Sequence, residues 1–198
     1  VTVNAINDSP VLDEISDQNM SEGGTKIVLL SASDIDEDAL TYTITDGINI
    51  ISSIEGSTIT FSVINDDWNG SEEFTATASD GEYTVNQTFT VTVANVNDAP
   101  ILAAVSDVSF VEDGSGSLSL SAEDIDEDAL TFSITEGTEI TAILIGSDVT
   151  FDVPANFNGS ESFTVSVSDG EYTDSQIITV SVTPVNDIPV LDAISDQN

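Results

Sequence analysis

The sequence predicts an all-β protein made of two tandem seven-stranded β-sandwiches joined end to end. Three observations support this prediction. Several segments recur about 90 positions apart, which is about the length of one sandwich domain. Within them, apolar and polar residues alternate with the period of two that a half-buried strand requires. Gly, Asn and Asp separate the alternating segments, and no segment has the 3.6-residue period of a helix.

The repeat is clearest in three linker segments, "VNAINDSP", "VANVNDAP" and "VTPVNDIP", which end at Pro10, Pro100 and Pro189. The segment "VLDEISDQN" after the first linker also returns as "VLDAISDQN" at the end of the sequence. The predicted boundaries are 1–8 for the tail of a preceding repeat, 9–97 and 98–187 for two complete repeats, and 188–198 for the start of the next. We therefore expect the sequence to be an excerpt from a longer tandem array.

Seven strands are predicted in the first repeat, and matching segments predict the same strands in the second. Their ranges in the first repeat are 11–20, 26–32, 40–45, 48–53, 57–63, 73–79 and 84–93. Segments such as "STITFSV" and "NQTFTVTV" are rich in β-branched residues. The "DG" at Asp80–Gly81 predicts a hairpin turn. We expect two antiparallel sheets packed face to face.

The charge balance limits the partners of this protein. Its 198 residues include 37 Asp and Glu, a single basic residue, Lys26, and no His or Cys, so the formal net charge is −36. Nucleic acid is nearly excluded and an anionic membrane is disfavoured, because binding phosphate requires Lys and Arg. No apolar run reaches the roughly 18 residues that membrane insertion requires. Hydrophobic residues make up 39% of the chain, which is sufficient for a folded core.

The composition also argues against an enzyme. Ser–His and Cys–His catalysis need side chains that this chain lacks. Its glycines lie in short turns and not in a phosphate-binding loop. A pair of carboxylates can hydrolyse glycosides, but among 37 such groups the proximity of two indicates little.

The octapeptide "DIDEDALT" occurs at residues 34–41 and again, unchanged, at residues 124–131. Consecutive antiparallel strands run in opposite directions. This loop and the turn after the sixth strand are therefore predicted at the same end as the preceding linker, here called the upper end of each repeat. The carboxylates predicted there are Asp34, Asp36, Asp38 and Asp80 in the first repeat and Asp124, Asp126, Asp128 and Asp169 in the second. Glu22 and Glu112, in the turn after the first strand, are predicted at the opposite, lower end.

Stacked repeats would bring the lower end of one beside the upper end of the next, where close carboxylates repel unless a cation neutralises them. The predicted site at the middle junction consists of Glu22, Asn97, Asp98, Asp124, Asp126 and Asp169, with Asp66, Asp67, Asn95 and Asp128 as further candidates. The first "DIDED" would use Asn7 and Asp8 as linker ligands, and Glu112 would lie beside Asn186 and Asp187.

All of these side chains offer oxygen ligands, which favours Ca²⁺ as the cofactor. Zn²⁺ prefers His or Cys, and Mg²⁺ prefers a stricter octahedron. An EF-hand does not fit, because with Asp34 as position 1 of the loop, position 6 is Ala39 where Gly is needed and position 12 is Thr45 where Glu is needed. A plain solvated acidic turn is the alternative to a metal site.

The segments "ASDIDED…LTYTI", "SEGG" or "VEDG", "ASDG" or "VSDG", and "VNDAP" resemble cadherin-type repeats, most closely the bacterial cadherin-like tandem repeats with VNDAP linkers. The resemblance covers essentially the whole chain. It implies immunoglobulin-like sandwiches that act as calcium-rigidified spacers or adhesion modules of a large bacterial surface or secreted protein. By this resemblance Glu22 is the strand glutamate ligand, Asp34, Asp36, Asp124 and Asp126 are the D-x-D ligands, Asp80 and Asp169 follow the sixth strand, and Asn97 and Asp98 belong to the linker motif.

Two departures from the cadherin pattern change the expected number of ions. The linker lacks the second Asn of the longer cadherin linker. The acidic motif before the sixth strand is only loosely matched by Asp66–Asp67, and the second repeat has no acid there. We therefore expect one or two ions per junction, fewer than in animal cadherins.

A carbohydrate-binding module that uses exposed aromatic rings is the second interpretation, with cell-surface polysaccharide as partner in place of homotypic repeats. Trp68 is the main candidate. Its counterpart is Phe157 in the same "NGSExF" context, which indicates a hydrophobic plug at the end of the sandwich. Tyr83 and Tyr172 are expected to pack at the start of the seventh strand, and Tyr42 and Phe132 to belong to the core.

Overall fold

The computed structural model describes residues 6–189 and residue 191. Predictions for residues 1–5, 190 and 192–198 lie outside that range, and so does most of the expected start of a following repeat. The chain divides between Val96 and Asn97 into two compact units. No helical segment capable of crossing a membrane occurs among the described residues.

The first unit consists of two β-sheets and a short additional strand pair. Its strands are β1 (Val11–Leu12), β2 (Gln18–Ser21), β3 (Thr25–Leu29), β4 (Ala32–Ser33), β5 (Thr41–Ile44), β6 (Ile50–Glu55), β7 (Thr58–Val63), β8 (Gly70–Ser79) and β9 (Thr84–Ala94). The sheets have the orders β2-β9-β8-β5 and β3-β7-β6, and β1 pairs with β4. β2 is parallel to β9, whereas the other pairs are antiparallel.

The second unit repeats this topology. Its strands are β10 (Ile101–Leu102), β11 (Val108–Val111), β12 (Gly116–Ser119), β13 (Ala122–Glu123), β14 (Thr131–Ile134), β15 (Thr141–Ile145), β16 (Asp148–Asp152), β17 (Gly159–Ser168) and β18 (Thr173–Thr183). The sheets have the orders β11-β18-β17-β14 and β12-β16-β15, with β10 paired to β13. The prediction of two tandem immunoglobulin-like β-sandwiches is confirmed.

The first predicted strand of each repeat is divided in two. In the first unit β1 pairs with β4 and β2 pairs with β9, so the chain passes from the short strand pair to the four-stranded sheet between β1 and β2. Ile15 N–H donates to Gln87 Oε1 (2.9 Å) and Thr90 N–H donates to Asp17 Oδ1 (2.8 Å), and these bonds hold the crossing segment in place. Alternation of apolar and polar residues detects a strand but not the sheet to which it belongs. The sequence therefore predicts one strand over residues 11–20 where there are two, and one over residues 26–32 where β3 ends at Leu29 and β4 begins at Ala32.

The core of each unit lies between its two sheets and is built from alternate residues of the long strands. Phe61 and Phe74 are fully buried, with ring centroids 4.8 Å apart in an edge-to-face arrangement. Phe151 and Phe163 form the equivalent pair at 5.3 Å. Truncating such a ring to Ala typically costs about 3–5 kcal/mol of folding free energy. This packing fixes the strand ends from which the acidic loops emerge. Tyr42 and Phe132 are partly buried and pack against the two cores, as predicted.

Candidate metal centre

The loop between β13 and β14 folds around the carboxylate of Asp124. Its Oδ1 accepts the N–H groups of Asp126 (3.0 Å) and Asp128 (3.3 Å). Glu127, between them, has a left-handed backbone with φ of 60°, which turns the chain tightly. Carboxylate oxygens of the three Asp side chains lie within 4.8 Å of one another. The loop thus brings the negative charges of these three side chains close together.

The linker residues of the second unit contact this same end of the unit. Asn97 donates its side-chain amide to Asp169 Oδ2 (2.9 Å), and Asp98 N–H donates to Asp126 Oδ2 (2.7 Å). The linker, the acidic loop and the turn after β17 therefore lie together at the upper end of the unit.

The first unit has the same arrangement. Asn7 donates to Asp80 Oδ2 (3.0 Å), and Asp8 N–H donates to Asp36 Oδ2 (2.8 Å). Asp34 Oδ1 accepts the Asp36 N–H (2.9 Å), and oxygens of Asp34, Asp36 and Asp38 again lie within 4.8 Å of one another. The same contacts therefore occur in both repeats.

One oxygen in each loop lacks a hydrogen-bond partner. Asp34 Oδ2 and Asp124 Oδ2 are both buried, and neither finds a donor among the described residues. A buried carboxylate oxygen without a donor is costly, by about 1–3 kcal/mol or more for a charged group. A cation bound in each loop would give the unpaired oxygen of that loop a partner. The donor set in each loop contains only oxygen, which fits Ca²⁺.

The aspartates after β8 and β17 are held as carboxylates by their own turns. Asp80 Oδ1 accepts the N–H groups of Tyr83 (2.6 Å) and Glu82 (2.7 Å). These bonds, that from Tyr83 above all, hold the pKa of Asp80 below its usual value against the opposing effect of burial.

Asp169 is held in the same way. Burial raises its pKa, but hydrogen bonds from the Asn97 side chain and from the Tyr172 and Glu171 N–H groups outweigh this effect and leave the pKa lowered. Both aspartates therefore keep their negative charge to a lower pH than an ordinary aspartate.

Each lower end holds a glutamate against the segment that follows the last strand of its unit. Glu22 Oε1 accepts the Val96 N–H (2.6 Å), while its Oε2 lacks a hydrogen-bond partner among the described residues. Glu112 is only 6% exposed and accepts the Val185 N–H (2.5 Å) on Oε1. Asn158 donates to its other oxygen at 3.4 Å.

The remaining predicted ligands lie in exposed loops of their own unit. Asp66 and Asp67 are exposed, and Asp67 N–H donates to Asn65 Oδ1 (3.4 Å) within its turn. Asn95 accepts the Asn69 amide (2.6 Å). The Asn186 amide donates to the Asp187 carbonyl (3.1 Å). The grouping of ligands across the two repeats stays a prediction.

Two serines that were not predicted support the turns that hold Asp80 and Asp169. Ser79 Oγ donates to the Tyr83 carbonyl (2.9 Å) and accepts the Gly81 N–H (3.1 Å). Ser168 does the same for Tyr172 and Gly170. The segment "SDGEYT", which occurs unchanged in both repeats, carried this signal in the sequence.

Two of the aromatic candidates pack against the cores of their units. Trp68 is partly buried against the first core, and Phe157 against the second. A Cβ on Gly70 would lie 2.7 Å from the Trp68 ring, so the ring rests directly on that glycine. The part of the ring that covers Gly70 is therefore not available for stacking on a sugar. Tyr83 and Tyr172 are 41% and 44% exposed.

The fold and the duplicated acidic ends define a tandem immunoglobulin-like protein. The chain belongs to the bacterial Ig domain family, whose profile matches residues 7–93 and again residues 97–183. It is similar to Chitinase A of Pseudoalteromonas piscicida, with 28% identity over an alignment of 177 positions that covers 83% of this chain and 20% of that protein. The chain thus spans about a fifth of the length of this curated relative.

Solved cadherin structures share the fold. The EC1-2 fragment of human protocadherin-24 in crystal form II matches with a TM-score of 0.58 and 17% identity, covering 91% of this chain and 100% of that one. The EC1-3 fragment of mouse clustered PcdhgC3 matches with a TM-score of 0.56 and 17% identity, covering 93% and 70%. At this level of identity the likeness is one of fold alone.

Proposed function

We propose that these repeats bind Ca²⁺ and serve as calcium-rigidified spacer or adhesion modules of a large extracellular protein, on the bacterial surface or secreted. They carry no catalysis in this proposal. The observation that supports it most strongly is a buried oxygen in Asp34 and in Asp124 that has no hydrogen-bond partner within residues 6–189, each beside two further carboxylates. The arrangement occurs in both loops, which share the octapeptide "DIDEDALT".

The proposed ligands are assigned repeat by repeat, with repeat boundaries at residues 9–97 and 98–187. Those at the upper end of the second repeat are Asp98, Asp124, Asp126, Asp128 and Asp169, with Asn97 and Glu22 contributed by the preceding repeat and Asp66 and Asp67 as further candidates. Those at the upper end of the first repeat are Asp34, Asp36, Asp38 and Asp80, with Asn7 and Asp8 contributed by the segment before it. Glu112 would be a ligand at the junction with the next repeat. Asn186 and Asp187, which belong to the VNDAP-type linker there, would lie beside it.

The proposed mechanism is electrostatic. Without cations, facing acidic ends repel and the short linker is a hinge. Bound Ca²⁺ neutralises the carboxylates and joins the linker to the loops on either side of it. Ca²⁺ at 100 times its dissociation constant would add about 2.7 kcal/mol to the apparent stability.

Calorimetric titration of Ca²⁺ into EGTA-stripped protein tests this function. We expect binding heat, a rise in melting temperature and weaker binding in Asp126→Asn. Asp148→Asn is the matched control, because it removes a carboxylate from β16, outside both loops. Absence of binding heat together with an unchanged melting temperature would contradict the proposal. An equal loss in both variants would show that general charge, and not this loop, attracts the ion.

The likeness to Chitinase A favours a second candidate function, that of a non-catalytic accessory module in a protein that acts on polysaccharide. Binding of a sugar by stacking on Trp68 is poorly supported, because the Trp68 ring rests on Gly70 and the core. A polysaccharide would have to use another surface.

A further inference from the structure

The outward face of the four-stranded sheet in the second unit is built almost entirely from hydroxyl side chains. Burial alternates along β17 and β18, with Phe163, Val165 and Val167 among the residues that point inward. The outward positions of β17 are Ser160, Ser162, Thr164, Ser166 and Ser168, and those of β18 are Thr173, Ser175, Ile177, Thr179, Ser181 and Thr183. We call this surface, with its equivalent in the first unit, the hydroxyl face.

The first unit has the same face. The outward positions of β8 are Ser71, Glu73, Thr75, Thr77 and Ser79, and those of β9 are Thr84, Asn86, Thr88, Thr90 and Thr92. Glu73 is the one carboxylate on these two strands that faces outward. The two units therefore present nearly uncharged faces on a chain with a net charge of −36.

Strand chemistry explains part of this composition. Thr has a high β-propensity, and like charges placed opposite one another destabilise a sheet. However, the central strand of the other sheet in the second unit, β16, carries Asp148 and Asp152 on exposed positions. Outward acids thus occur at both ends of β16, whereas the hydroxyl face carries only Glu73 on β8 and β9 and no acid on β17 and β18.

The hydroxyl face is both a donor and an acceptor of hydrogen bonds. Some hydroxyls pair across strands, such as Ser160 with Ser181 at 3.0 Å and Ser71 with Thr92 at 2.9 Å. Each hydroxyl retains further capacity for a partner. Ile177 adds an apolar side chain, 74% exposed, within the second face. Hydroxyl side chains that both donate and accept can pair with the hydroxyl groups of a sugar chain.

We propose that the hydroxyl face docks an uncharged polysaccharide. This inference rests on the second candidate function and names its surface. The charge of the chain selects the partner: a polyanion or a second copy of the chain would meet long-range repulsion, whereas a neutral polymer would not. Individual exposed hydroxyls bind weakly, but a chain that carries two such faces gains avidity for one long polymer wherever the linker lets both faces engage it.

Retention on insoluble cellulose and chitin, and affinity electrophoresis in amylose, test the proposal with the whole chain. Alginate serves as the anionic comparison. The test variants are Ser166→Glu and Thr179→Glu, which place a carboxylate in the hydroxyl face. The matched control is Thr150→Glu, on the exposed side of β16 in the opposite sheet. Thr179→Val and Thr150→Val repeat the comparison with a side chain of similar shape, in case the glutamate variants fail to fold.

We expect the protein to bind at least one neutral polysaccharide, and about tenfold weaker binding in Thr179→Glu than in Thr150→Glu. No binding to any of the three neutral polymers would overturn the proposal, as would an equal loss in the control. Loss of retention in Trp68→Ala alone would assign binding to the aromatic plug instead. Concentration-dependent dimerisation that Thr179→Glu abolishes, without polysaccharide binding, would identify a second copy as the occupant and also overturn it.

Retention is measured both in Ca²⁺ and in EGTA. Failure of the calcium proposal appears in calorimetry and leaves retention in EGTA unaffected. Failure of the hydroxyl face appears as lost retention in a protein that still binds Ca²⁺. The two proposals therefore fail separately.

Discussion

Asn97 donates its side-chain amide to Asp169 Oδ2 at 2.9 Å, and Asn7 makes the same bond to Asp80 one repeat earlier. The linker is therefore tied to the turn after the sixth predicted strand before any cation is considered. This bond leaves the Asn97 side-chain oxygen available as a ligand while it helps to keep the pKa of Asp169 low. Asn97 thus holds the linker in place and also belongs to the proposed metal site.

We predict that Asn97→Ala lowers the free energy of unfolding of the second unit in EGTA, because the charge-assisted bond to Asp169 is lost. Urea unfolding followed in Ca²⁺-free buffer measures this change. Asn186→Ala is the control, since Asn186 occupies the same place in the next linker and its amide donates to the Asp187 carbonyl. Equal effects of the two substitutions would contradict a special role for the Asn97 bond.

One glutamate in each unit, Glu72 or Glu161, accepts hydrogen bonds from backbone N–H groups of its own unit. Glu72 accepts the N–H groups of Ile48 (2.9 Å) and Asn49 (2.7 Å), and Glu161 accepts those of Thr138 (2.9 Å) and Glu139 (2.7 Å). Each glutamate thereby fixes the turn that leads into β6 or into β15. Its charge is used for folding and not for a ligand.

We predict that Glu72 makes the first unit sensitive to acid. Burial raises its pKa, but the backbone bonds from Asn49, Ile48 and Ile50 outweigh burial and hold the pKa below the ordinary value of 4.5. A group with a lowered pKa contributes stability that is fully present above pH 4.5 and is lost as the pH falls through its folded-state value.

Glu72→Gln should therefore destabilise the first unit by about 1 kcal/mol at pH 7, a figure that allows for solvent screening. It should also flatten the fall in stability below pH 4.5. Thermal melts between pH 7 and about pH 3 measure both effects, with Glu73→Gln on the outward face as control. An unchanged slope in Glu72→Gln would show that other carboxylates dominate acid unfolding.

Gly47 makes the approach of Glu72 possible. A Cβ at this position would collide with the Ile50 carbonyl oxygen and with Glu72 Oε2, and would lie 2.8 Å from Phe74 Cζ. Because one of these neighbours is backbone, the collision cannot be relieved by a rotamer change. We predict that Gly47→Ala destabilises the first unit by about 3 kcal/mol.

Gly56→Ala is the matched control for that substitution. Gly56 has φ of 61°, and a Cβ added there would have no neighbour within 4 Å, so alanine meets only backbone strain of about 1–2 kcal/mol. Chemical unfolding of both variants measures the difference. If Gly47→Ala proves as mild as Gly56→Ala, the turn must rearrange and the Glu72 contacts are not essential.

The loops at the two ends could be predicted from sequence because strand direction alone assigns them, and the acids of "DIDED" follow a clear strand boundary. The roles of Glu72 and Glu161 could not. With 37 carboxylates in the chain, nothing local distinguishes a glutamate that caps a turn 24 residues away. The matching segments "SEEF" and "SESF" contain these two glutamates. Which turn each glutamate caps depends on how the chain passes between the sheets. The division of residues 11–20 into β1 and β2 was missed for the same reason.

Asp124 in the acidic loop should respond to substitution with opposite signs in the absence and presence of Ca²⁺. It has one oxygen bonded to the N–H groups of Asp126 and Asp128 and another buried without a partner among the described residues. Asparagine can preserve the first interaction through its carbonyl oxygen and removes one charge from the cluster. In EGTA, Asp124→Asn should therefore raise the melting temperature of the second unit, by about 4–8 °C for each 1 kcal/mol of repulsion relieved.

In saturating Ca²⁺ the same substitution should lower the melting temperature relative to the unaltered protein, because a ligand oxygen is lost. Differential scanning calorimetry in both buffers measures this reversal. Asp148→Asn, which removes the same charge from β16, should shift the melting temperature equally in both conditions. Stabilisation of Asp124→Asn in both buffers would mean that the loop is acidic without being a metal site, since charge relief alone would then explain its behaviour.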